Sequence, residues 1–229
     1  MRASCLPLLV LLAVACASQP PQPAAGRSGV YGEVRLVPRT GAPAGGSGAY
    51  GDRRLRDVRL VDYSRPGFAV IYASAPPAGG QLELTVVQRA RSAHIEPAHA
   101  VVGAGGELTV HNAADVAHVI SAPELGFVRR LEPGERLSLR LGREADLRVY
   151  LLDAPGVESR VFVAPGPYAE ADASGRYSLA DLAPGPTRLR IWHPRFPPAE
   201  RELELTAGAL VRADFQLSAE QAGDGDATQ

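Results

Sequence analysis

Arg136-Leu137-Ser138-Leu139-Arg140-Leu141, Leu147-Arg148-Val149-Tyr150-Leu151 and Arg160-Val161-Phe162-Val163 follow one another within residues 136–163. Each run alternates apolar and polar side chains, which places every apolar residue on one face of an extended chain. Pro155-Gly156, between the second and third runs, is turn chemistry. The same pattern extends outward in both directions. Gln81-Leu82-Glu83-Leu84-Thr85-Val86 alternates upstream; Arg188-Leu189-Arg190-Ile191-Trp192, Arg201-Glu202-Leu203-Glu204-Leu205 and Arg212 to Leu217 alternate downstream. Gly79-Gly80, Gly105-Gly106, Pro133-Gly134, Ser174-Gly175 and Pro184-Gly185 punctuate the runs. With 24 Gly and 20 Pro in 229 residues, the chain is cut into many short pieces. No helical period runs longer than two turns after the N-terminal segment. Regular short strands with Gly/Pro turns predict an all-β protein, a sandwich or a barrel.

Composition removes several function classes. Hydrophobic residues make up 45% and charged residues 21%, the balance of a chain with a packed core. The formal net charge is −1, without the basic footprint of a general nucleic-acid binder. Every basic residue is Arg, and the Arg-rich polar faces of the strands read as solvated surface. The only cysteines are Cys5 and Cys16, so the body offers no disulfide, Cys-based zinc site, iron–sulfur cluster or thiol nucleophile. P-loop, H-E-x-x-H, EF-hand and G-x-S-x-G patterns are all absent. Asp172-Ala173-Ser174-Gly175 reads as a tight turn rather than a calcium fragment.

The N-terminus reads as an address. Arg2 precedes the apolar stretch Leu6–Val14, which is too short to span a bilayer and has the form of a cleaved export signal over residues 1–15. Ala13-Val14-Ala15 suits ordinary signal cleavage. The same residues before Cys16 also resemble a lipobox, in which Cys16 is acylated and becomes the new N-terminus. A Pro/Ala tether follows over residues 16–28. The expected location is the outer membrane, as a lipoprotein facing the periplasm or cell surface, with periplasmic or secreted protein as the other outcome. Residues 40–57 read as a mobile loop and residues 218–229 as a disordered tail.

A resemblance emerges from residue 95 onward. Ile95-x-Pro97, Val101-Val102, Gly105, Asn112 and His118, then Leu131-Glu132-Pro133-Gly134-Glu135 and the strand at Leu147, are similar to bacterial cupredoxin-like proteins of the plastocyanin-like or methylamine-utilisation-like kind. Asp172 to Leu179, Leu182-Ala183-Pro184-Gly185 and Leu189 to Pro194 resemble a carboxypeptidase-regulatory-like, transthyretin-like repeat. Gly32-Glu33-Val34 and Ala69-Val70-Ile71-Tyr72 are similar to that repeat's opening strands. The resemblance implies a cupredoxin-like sandwich over residues 29–164 and a small transthyretin-like sandwich over residues 165–217, which the opening strands would complete if they belong to it.

The resemblance also implies a type 1 copper site, and the residues depart from it. Such a site takes a Cys thiolate, two His and usually an axial Met. In the family His118 is one ligand, and Cys, His and Met follow the last strand at i, i+3 and i+6. Those positions here are Leu151, Ala154 and Val157. His118 alone survives as a vestigial ligand, so no metal and no cofactor is expected. A labile site combining His118 with His94 or His111 is the alternative, while His99 and these two read as surface histidines. Glu96 beside His94 and His99 is a weak hydrolytic trio, and Trp192-His193-Pro194 reads as the end of a core strand. The expectation is a non-enzymatic envelope protein that binds an unknown protein or glycan and touches the membrane only through its anchor. Residues 40–57 and a loop at 121–130 would make the contacts.

Overall fold

The computed structural model describes residues 22–38, 61–76, 79–90 and 92–218. Cys16, the export signal, the loop at 40–57 and the tail beyond Ser218 lie outside these residues. Apart from one 3-10 turn, Pro123–Leu125, the regular structure among the described residues is strand throughout. The chain is all-β and folds as two packed sandwiches.

The first sandwich takes nine consecutive strands: β3 (Gln81–Arg89), β4 (Ser92–Glu96), β5 (His99–Gly103), β6 (Glu107–Asn112), β7 (His118–Ala122), β8 (Phe127–Leu131), β9 (Arg136–Arg140), β10 (Ala145–Leu151) and β11 (Glu158–Ala164). One sheet has the order β4-β3-β6-β9 and the facing sheet β5-β11-β10-β7-β8. The β3–β6 and β5–β11 pairs are parallel and the remainder antiparallel. Leu84, Val86, Leu108, Val110, Ile120, Leu147, Val149 and Val161 turn inward and form its core. The predicted period of two is what fills it: in β6 the burial alternates residue by residue from Glu107 to Asn112.

The second sandwich is discontinuous. Its strands are β1 (Ser28–Val37), β2 (Val70–Ala73), β12 (Tyr168–Glu170), β13 (Arg176–Leu182), β14 (Gly185–Trp192), β15 (Ala199–Leu205), β16 (Leu210–Arg212) and β17 (Phe215–Ser218). One sheet runs β13-β1-β16, with β17 also on β1, and the other runs β12-β2-β14-β15. The opening strands thus pair with the chain's last strands and not with β3–β11, so the nine-stranded sandwich is inserted between β2 and β12. Val30, Val34, Ile71, Leu179, Leu189, Ile191, Phe215 and Leu217 form the second core.

Two local expectations change. Arg212–Leu217 is two strands rather than one, because the chain steps at Ala213-Asp214. There β16 leaves the first half of β1 and β17 joins the second half, both parallel to it. The Tyr177 hydroxyl donates to the Ala213 carbonyl, and the Glu33 N–H donates to Asp214 Oδ1 at 3.0 Å, fixing the step. Residues 121–130 are not a loop: they comprise the end of β7, the 3-10 turn and most of β8.

The sandwiches meet on the outer face of β2 and β14. Val70, Tyr72 and Trp192 from the second sandwich bury against Val101, Phe162 and Ala164 from the first. Phe162 and Trp192 stack with centroids 4.9 Å apart. Arg160 lies over the Trp192 ring at 5.3 Å, donates to the Pro194 carbonyl and grips Asp146 through two hydrogen bonds of 2.8 and 2.5 Å. The Tyr72 hydroxyl donates to Glu144 at 2.8 Å. Trp192 does end a core strand, and the core it joins is this junction.

Candidate functional site

His118 opens β7, opposite Leu131 of β8. The segment delivering it is fastened by Asn112, which is fully buried at the end of β6. Asn112 Nδ2 donates to the carbonyls of Val116 and Leu131 at 2.9 and 3.0 Å, and Oδ1 accepts the Ala114 N–H at 3.1 Å. A buried amide with each side-chain atom partnered in this way holds the approach to His118 in one conformation.

The turn after β10 closes over the same end. Leu152 N–H donates to the Val119 carbonyl at 2.9 Å, and Leu151 N–H donates to the Val157 carbonyl at 3.1 Å. Within this turn Asp153 reaches His118: Oδ2 lies 2.7 Å from Nδ1, and Oδ1 accepts the Val119 N–H at 2.8 Å. Burial works against ionisation of Asp153, but the hydrogen bonds from Val119 and His118 outweigh it and lower its pKa. The carboxylate is therefore the acceptor and Nδ1–H the donor. This leaves Nε2 of His118, which is buried and without a hydrogen-bond partner among the described residues.

The three positions that the resemblance would assign to the remaining type 1 copper ligands carry no side-chain donor atoms. Leu151 belongs to the first core, and Ala154 and Val157 pack against it. With Nδ1 committed to Asp153, one imidazole nitrogen remains. The residues present do not fit a blue-copper centre, which needs a thiolate and a second imidazole.

The other histidines sit elsewhere. In β4 the neighbours of His94, Ala93 and Ile95, point into the core, so the exposed His94 faces outward. His111 likewise lies on the outer face of β6, its Nδ1 3.5 Å from Glu83. Buried His118 therefore does not share a face with His94 or His111. The chain crosses to the opposite sheet between His94 and His99, and His99 stacks on Phe68 at 5.5 Å. Glu96 pairs with Arg89, which takes it out of any trio with the two histidines. No group of three or more His, Cys, Asp or Glu that could hold a metal occurs among the described residues.

A cleft opens between β4 and the 155–158 turn, lined by His94, Ile95, His99, Pro155, Val157 and Arg160. Its one guanidinium is already spent on Asp146 and Pro194. Asp172 accepts from Ser174 Oγ at 2.6 Å and from the N–H groups of Ser174 and Arg176, the geometry of a turn. Asp153 and Arg160 are the residues that sequence reasoning missed. Each lies in a stretch read for another feature, and neither spacing nor alternation marks a carboxylate–histidine pair or a guanidinium–indole stack.

No family model matches the chain, and no curated protein matches it. Among solved structures, a purple cupredoxin from Nitrosopumilus maritimus is similar at 18% identity, with a TM-score of 0.30, covering 35% of this chain and 98% of that one.

Proposed function

We propose that the chain is a non-enzymatic, exported β-sandwich lipoprotein. In this reading the inserted sandwich is cupredoxin-like without type 1 copper, the outer one is carboxypeptidase-regulatory-like, and Cys16 carries the lipid. Its role is to hold a protein or glycan partner in the cell envelope. The observation that supports this best is the donor set at the His118 end. Leu151, Ala154 and Val157 fill positions where a thiolate, an imidazole and a thioether would stand, and Asp153 takes one nitrogen of the surviving histidine. The body's order of strands and turns supports the two-sandwich part, and the Ala-Val-Ala-Cys sequence at residues 13–16 supports the anchor.

Titration of the purified chain with Cu(II) tests the site. The expected result is no intense blue absorption, because a Cu–thiolate bond has no sulfur donor in the body. An intense blue band overturns the reading. Pale, weak binding abolished by His118→Ala would instead favour the alternative of a labile copper-handling site. The anchor has its own test: Cys16→Ala releases the protein into the soluble envelope fraction, and retention on the membrane contradicts lipid attachment.

A further inference from the structure

The N-terminal segment is stapled to the body before β1 begins. Ala24–Arg27 form a β-turn, with Arg27 N–H donating to the Ala24 carbonyl at 2.9 Å and Gly26 at φ 75°. That turn is held at two places. Asp181, at the end of β13, accepts the Ala24 N–H on Oδ1 at 2.9 Å, and its carbonyl accepts both Nε (2.9 Å) and a terminal nitrogen of Arg27. Gly208, in the turn before β16, donates to the Arg27 carbonyl at 2.7 Å. Asp181 adopts φ 59°, a left-handed conformation uncommon for a residue with a side chain. In that conformation its side-chain Oδ1 and its main-chain carbonyl both take part in the clasp.

The clasp marks one pole of the molecule. Ser28 pairs with Leu182, and the chain turns from β13 into β14 through exposed Ala183 and Pro184 at the same end. From Gly185, β14 runs toward the inserted sandwich, whose contacts begin at Arg190, about 17 Å along at the usual strand rise. The contacts then advance in step. Glu144 meets Tyr72, the cross-strand partner of Arg190; Phe162, opposite Asp146, stacks on Trp192; Arg160, opposite Arg148, reaches Pro194. Strand β10 therefore runs in the same sense as β14, away from the clasp. Its far end, at Leu151, lies about 24 Å beyond Glu144. The His118–Asp153 end is the opposite pole, about 40 Å from the clasp.

We propose that the clasp orients the protein on a lipid surface, with the Ala183-Pro184 pole facing the bilayer and the His118–Asp153 pole presented outward. This rests on Cys16 being the lipid attachment site. The occupant follows from chain length: Cys16 to Ala24 is eight residues, which reach at most about 29 Å when fully extended. The covalent reach to the clasp is thus shorter than the distance between the poles. Without the clasp the tether would run twelve residues to Ser28 at the same pole, at most about 43 Å, which no longer falls short of the distance between the poles.

The test uses the full chain purified with Cys16 acylated and bound to phosphatidylcholine vesicles carrying an energy acceptor on a lipid headgroup. The folded body has no cysteine, so Ala183→Cys or Leu152→Cys supplies a single donor site at either pole. Transfer from position 183 is expected to exceed transfer from position 152 several-fold. Arg27→Ala, and independently Asp181→Gly, which keeps the left-handed backbone open, should lower that ratio, because the tether then lengthens from eight residues to twelve. Equal or reversed transfer in vesicle-bound wild type overturns the orientation, and a ratio unchanged in both variants overturns the clasp as its cause. If mass analysis finds no acyl group on Cys16 and the chain does not bind vesicles, the anchor reading itself fails and the orientation falls with it.

Discussion

Burial lowers the pKa of His193, and its hydrogen bond to the Pro66 carbonyl only partly opposes this. Its Nδ1 accepts the Arg195 N–H at 3.0 Å, a bond that needs the neutral ring. A histidine depressed in the folded state contributes stability that is full above the unfolded value near 6.5 and lost as pH falls through the folded value. Denaturation midpoints at about pH 7.5 and about pH 5 should therefore differ less in His193→Asn than in the wild type. An unchanged difference removes His193 from the account. Asp172 works at lower pH: its hydrogen bond with the Ser174 hydroxyl is the largest of several effects holding its pKa at about 2. Its contribution is present above the unfolded value of 3.8 and lost toward pH 2. Asp172→Asn should be less stable than wild type at neutral pH, with the two converging in strong acid. At this scale the sequence was most legible in what it lacks. A missing thiol is visible at once, whereas Asp153 becomes significant only when the turn folds it onto His118.

Strand positions were readable because burial follows period two; strand partners were not. Alternation at Val211, Ala213, Phe215 and Leu217 runs straight through the step between β16 and β17, so nothing in the pattern reveals it. Gly32 is the place where the backbones meet. A Cβ there would stand 1.9 Å from the Ala213 carbonyl oxygen, which is backbone and has little room to yield. Gly32→Ala should cost about 1–3 kcal/mol, read as a lowered thermal midpoint. A neutral result would mean that β1 and the step are looser than the pairing implies. Asn112→Ala strips a partner from the Val116 and Leu131 carbonyls and the Ala114 N–H, two of these bonds being buried, and a loss of about 2 kcal/mol is expected in chemical denaturation. The variant keeps the β6 backbone bonds, so the effect should appear mainly around residues 113–118 in hydrogen exchange.

For the whole molecule, the insertion was the least legible feature. The opening strands and the last strands are separated by more than a hundred residues, and a period-two pattern says nothing about partners that far apart. What makes the two sandwiches one body is the Phe162–Trp192 stack with Arg160 across it. Trp192→Ala should cost about 3 kcal/mol or more and split unfolding into two calorimetric transitions. A single sharp transition in that variant would show that the sandwiches are coupled elsewhere. The end formed by His118, Leu151, Ala154 and Val157 is expected to hold no type 1 copper. The most direct measurement of this is the copper content and visible spectrum of the protein purified from its native host. Protein without stoichiometric copper and without an intense blue band is the predicted result. One tightly held copper per chain, with reversible bleaching on reduction, would contradict it.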